Sequence, residues 1–200
     1  MSFNNKISLA AICVAAMISG SAMAATNVGT GTVTVNGTIG AATCTVVPSK
    51  TTLTVPAMSP TTIQGSSLNA ELNTQSFTFN MSDCGSVGDV LNISVLRDVA
   101  PPTGTGSQAY SGGFTYAGGA ATASATGPIY YKIKHDQGML PLTTGVTAGS
   151  TNYDISTVAD KSSFTIPMTV GVYRAPANGV HTTQYSGTYA ANIGWTIAYP

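Results

Sequence analysis

An all-β sandwich is the fold this sequence predicts, on three observations. Apolar side chains recur at every second residue rather than at the 3.6-residue interval of a helix. The candidate strands are short and are separated by turn-forming clusters such as PPTGTG, SGG, AGG, DQG and PANG. Charged residues make up only 7% of the chain while Gly, Thr, Ser and Val abound, a composition that suits pleated strands and turns better than helices.

The first segment, MSFNNKISLAAICVAAMISGSAMAATN, has one cation at Lys6, an apolar run from Ile7 to Ile18, and small residues at Ala22 and Ala24. It reads as a secretory signal peptide over residues 1–24, because the run is shorter than the roughly 20 residues a membrane-spanning helix needs. The mature chain is then 200 − 24 = 176 residues, a one-domain length that buries a proper core. Next comes an uncharged strand-like arm. Gly29, Gly31, Val33 and Val35 share one of its faces, and Val28, Thr30, Thr32 and Thr34 the other.

Strands are expected at 32–39, 42–47, 51–56, 76–84 and 90–98, then at 113–117, 129–135, 152–156, 163–175 and 188–199. In SFTFNMSDC (76–84), Phe77, Phe79 and Met81 alternate inward; Tyr130 and Trp195 are read with them as packing residues. In IYYKIKH (129–135), Lys132 and Lys134 mark a polar outer face, and His135–Asp136 before the Gln137-Gly138 turn reads as a solvated hairpin end. The Ala/Gly/Thr-rich stretch 116–127 reads as a surface loop. In the last strand Tyr189, Ala191, Ile193, Trp195, Ile197 and Tyr199 occupy one face. No charge interrupts it from Tyr185 to Tyr199, so at a sheet edge it would be an aggregation site unless another strand covers it.

Charge and cysteine usage narrow the function. Without Lys6 the chain carries six cations against seven anions, with no basic field for nucleic acid or an anionic membrane. Cys44 and Cys84, an even pair in an exported chain, point to a disulfide. A structural zinc site wants four closely spaced ligands, and only His135 and His181 could join the cysteines, so no metal or other cofactor is expected. Catalysis needs titratable groups converging in a cleft. The ionisable residues here are few and scattered, and no nucleophile elbow, phosphate loop or metal spacing occurs, so no catalytic residue is assigned.

The arm and the last strand suggest a β-augmentation pair, one chain offering a groove and another an extended segment to fill it. Four features carry a resemblance over essentially the whole mature chain: the arm GTVTVNGTI (31–39), the cysteine in AATCTV (41–46), the second cysteine closing FTFNMSDC (77–84), and a C-terminal strand with Gly187 fourteenth from the end and Tyr199 penultimate. The chain resembles type 1-like fimbrial (pilin) subunits of the bacterial chaperone–usher pathway. That resemblance implies an incomplete immunoglobulin-like β-sandwich missing its last strand, with an N-terminal donor-strand extension. Residues 25–36 would be the arm and 37–200 the sandwich.

It further implies export through the periplasm to the cell surface, with a periplasmic chaperone, an outer-membrane usher and identical or related subunits as partners. Gly31, Val33 and Val35 would be the donor positions. Gly187, Tyr189, Ile193, Trp195, Ile197, Tyr199 and Pro200 would form the groove and chaperone-recognition strand. Relatives often end on Gln, Asn or an aromatic residue where this chain has Pro200, and Gly29 leaves the outermost pocket lightly filled. Two other readings stay open. One is a tip adhesin or adaptor binding a host receptor, for which loops 100–112 and 116–127 are available. The other is an arm folded into its own groove, through a turn at Asn36-Gly37.

Overall fold

The computed structural model describes residues 29–39, 44–85, 88–105, 108–117, 127–143, 150–176 and 188–199. In chain order its strands are β1 (Gly29–Ile39), β2 (Thr45–Pro48), β3 (Thr52–Met58), β4 (Glu71–Ser82), β5 (Val90–Arg97), β6 (Gly112–Gly113), β7 (Thr115–Ala117), β8 (Ile129–His135), β9 (Gly138–Met139), β10 (Leu142–Thr143), β11 (Ser150–Asp154), β12 (Phe164–Arg174) and β13 (Thr188–Ala198). One short helix, α1 (Pro60–Gly65), joins β3 to β4. The strands form two sheets. The first runs β10-β5-β13-β1-β3, with β11 also on β5 and β7 also on β13; the second runs β2-β4-β12-β8-β6, with β9 on β8.

Alternation places the core between the sheets, as the sequence predicts. Leu91, Ile93 and Val95 of β5 face Ile166, Met168, Val170 and Val172 of β12 within one buried cluster. Phe79 on the second sheet meets Trp195 on the first with ring centroids 4.5 Å apart, and Phe77 packs edge-on against Phe79 at 5.3 Å. The Cys44–Cys84 disulfide joins the chain just before β2 to the end of β4.

Two expectations are corrected, while Tyr130 is a buried packing residue, on the same outer face as Lys132 rather than in the cluster between the sheets. Its ring stacks on Tyr173 at 5.4 Å, Lys132 Nζ sits 5.7 Å from the Tyr130 centroid and 5.0 Å from that of Tyr173, and its hydroxyl donates to Asn69 Oδ1 at 3.0 Å. His135 is not a solvated hairpin end. It shares inward parity with Ile129, Tyr131 and Ile133, is 4% exposed, and lies edge-on to Tyr153 at 5.1 Å, because β11 folds against this corner. Finally, residues 60–65 form a helix where none was expected. Six residues are too few to show a helical period. The signal that could have found it is Ser59-Pro60: Ser59 Oγ accepts from the Thr62 N–H at 3.1 Å and Pro60 fills the first turn.

Candidate functional site: the slot between β3 and β13

A chain that alternates Gly-Thr-Val-Thr-Val has one smooth apolar face and no charge, and such a strand is stable only when both its edges are paired and that face is covered. β1 meets both conditions inside its own chain. It pairs parallel with β13, from Thr30 beside Thr188 to Ile39 beside Ile197, and antiparallel with β3, Gly31 standing beside Val55 and Val33 beside Leu53. Asn36-Gly37 makes no turn. The strand runs straight through it to Ile39. Among the described residues, β1 therefore occupies the place beside the last strand.

Gly31, Val33 and Val35 all face inward and are buried, Val33 completely. Their neighbours on β13 are matched in size. Gly31 stands beside Tyr189, Val33 beside Ala191, Val35 beside Ile193 and Gly37 beside Trp195, so each glycine meets a bulky aromatic. At Gly37 the match is strict: a Cβ would lie 2.1 Å from the Trp195 ring, whereas one at Gly31 would meet Val55 Cβ at 3.2 Å. Beyond Gly31 the slot ends in a narrow apolar recess lined by Val55, Met58, Ile63, Phe114, Ile129 and Tyr189, too small for a water molecule. Ile63, brought there by α1, is its plug.

Tyr189, Ala191, Ile193, Trp195 and Ile197 are buried along β13, the strand beside β1. Tyr199 is half-buried, and its hydroxyl lies 2.6 Å from Cys44 Sγ, so the end of β13 leans on the disulfide. Gly187 and Pro200, the signal segment 1–24, residues 25–28 of the arm and loop 118–126 lie outside the described residues. Sequence reasoning missed Leu53 and Val55 as the opposite wall, although their alternation in TTLTVP is plain. It also missed Gly37 as an inward-facing position of the arm.

Electrostatics enter only at the margin. β1, β3 and β13 carry no charged residue; Asp98 accepts from the Asn192 N–H and side-chain amide at 3.1 Å each, and Arg97 of β5 stands beside Ile193. Among the described residues, no group of three or more His, Cys, Asp or Glu side chains converges where a metal could bind.

The class so defined is a two-sheet β-sandwich whose first strand is seated between the third and the last. No protein-family model matches the chain, and no curated protein matches it.

Proposed function

We propose that this chain is a structural subunit of a bacterial surface fibre, of the type 1-like fimbrial kind. It polymerises by donor-strand complementation on an immunoglobulin-like body. The observation that carries this reading is β1 itself, a charge-free N-terminal strand that covers the core between β3 and β13 with Gly31, Val33 and Val35. A strand held by backbone ladders and a few small side chains is recognised by pattern, so the same segment of a second copy fits the same slot. Once its own arm is drawn out, each chain has one arm to give and one slot to receive. Such a contact is head-to-tail and propagates into a filament. On this reading a periplasmic chaperone guards the slot, an outer-membrane usher passes the subunit outward, and no catalysis is involved.

A second reading is favoured by where β1 lies: a closed monomer in which the arm is permanently its own partner. Refolding the mature chain at high concentration separates the two. The fibre reading expects ladders of linked copies by electron microscopy and native gels, abolished by deleting residues 25–36. A chain that stays monomeric at every concentration, and never exchanges a dye-labelled arm with another copy, leaves only the closed monomer.

A further inference from the structure

At Gly37 the inward face of β1 rests on Trp195, the chain's only tryptophan. A Cβ there would lie 2.1 Å from the ring, so only glycine fits. The residue before it is Asn36, on the outward side of the strand and exposed. With no side chain on Gly37 to obstruct it, the Gly37 amide nitrogen reaches the Asn36 side chain whenever the backbone can turn. The packing that demands glycine thus creates a chemically labile pair.

Pairing governs whether the backbone can turn. β1 is paired on both sides only as far as Thr34, which stands beside Thr52, and the Val35 N–H then donates to Thr51 O at 3.0 Å. From Asn36 to Ile39 the partner among the described residues is β13 alone. Main-chain groups alternate sides along a strand, so those of Asn36 face β13 and the Gly37 N–H faces the side that β3 has left. Joining the Gly37 nitrogen to the Asn36 side chain requires rotation of the peptide between them. That rotation takes the Asn36 carbonyl out of the β13 ladder. A seated strand resists it; a free one does not.

We propose that Asn36-Gly37 is a self-modification site gated by the seating of β1, intact while the strand is paired and converted while it is free. The Gly37 nitrogen attacks Asn36 Cγ to form a cyclic imide. The bond from Cγ to the side-chain nitrogen breaks, and ammonia leaves with the proton from Gly37. Water then opens the ring. Attack at the side-chain carbonyl gives aspartate on an unchanged backbone; attack at the main-chain carbonyl gives isoaspartate, with an extra carbon in the main chain. That carbon lengthens the strand by about 1.5 Å just before Gly37. The close contact with Trp195 has no slack to absorb it, so an isoaspartyl chain no longer seats residues 37–39. The ammonia is lost, and the asparagine does not return. No second copy is needed: the claim holds whether β1 is seated in its own chain or in another, and its failure leaves the fibre reading standing.

The full mature chain is incubated at mildly alkaline pH, folded and in urea, until Asn178-Gly179, its other Asn-Gly pair, has converted in the urea sample. Asn36 is followed by peptide mass, a gain of about 1 Da, and by isoaspartyl methyltransferase labelling. It should convert at least about tenfold faster in urea than in the folded chain. Equal rates, or an Asn36 that survives in urea, overturn the proposal.

Chains converted in urea are then refolded, with Trp195 emission reporting on the contact. Isoaspartyl chains should keep the strand signal in far-ultraviolet circular dichroism and show red-shifted emission. Freshly made Asn36→Asp chains, and Asn36→Ser chains carried through the same steps, should match wild type. Isoaspartyl chains with wild-type emission overturn the claim that conversion unseats the strand; loss of the strand signal as well overturns its confinement to residues 37–39.

Discussion

His135 shows how one buried imidazole sets a pH response. Its Nδ1 accepts from the Gln137 N–H at 3.1 Å, which requires that nitrogen to be unprotonated, and its Nε2 is buried with no hydrogen-bond partner among the described residues. Burial pushes its pKa below the ordinary histidine range, with the Asp136 carboxylate pulling more weakly the other way. The folded state thus binds a proton less readily than the unfolded chain. The stability His135 contributes is complete above about pH 6.5 and is lost as pH falls through the folded-state value. Urea midpoints measured from pH 7.5 down to 5 should fall, and His135→Gln should flatten that fall; an unchanged slope would remove His135 as its source. Tyr153, packed edge-on to the same ring, has its own pKa pushed up to about 12 by burial and by the Asp136 carboxylate near its hydroxyl, so it stays neutral throughout this window.

Among the elements, β2 depends most on a covalent tie. It has four residues, pairs with β4 from Thr45 beside Ser82 to Pro48 beside Phe79, and is held there by Cys44–Cys84 across 40 residues of sequence. In the chain-entropy picture a loop of that size is worth about 4 kcal/mol. Replacing both cysteines with serine should lower unfolding free energy by about 2–4 kcal/mol in denaturant titrations. It should also loosen Tyr199, whose hydroxyl rests on Cys44. A loss well under 1 kcal/mol would show that packing alone holds this corner.

How much of this was legible in the sequence depended on whether a local pattern decided it. β5, β8, β12 and β13 were read nearly to their ends, because alternating apolar residues bounded by turns leave little choice. The two faces of β8 were not. Tyr130 and Tyr131 are both buried, and only tertiary structure tells that Lys132 and Tyr173 cover one while the core takes the other. His135 was misread for the same reason, its cover coming from β11. The slot was legible as two matching strands, and their meeting within one chain only as an open alternative, since Gly31 and Tyr189 lie 189 − 31 = 158 residues apart.

For the molecule as a whole, that separation puts the first strand among the last to dock. Closing such a long loop costs entropy before any contact repays it, and β3 and β13 must both be in place to receive it. On the strand-exchange reading proposed above, arms of other copies compete with the tethered one between folding of the body and docking of β1, the tethered arm's effective concentration being of millimolar order. Refolding yield of linked species should therefore climb with protein concentration, and later dilution should not reverse it. Size-exclusion profiles that ignore concentration would count against docking as a separate late step. On the same proposed reading, the placement of charge bears on where the assembly can persist. The strands bordering the slot are neutral, and the described Lys161–Asp89 ion pair joins loop residues elsewhere. Apolar burial and main-chain hydrogen bonds do not weaken when the Debye length shortens. Fresh water, brackish water and concentrated brine should all leave the joined strands equally secure.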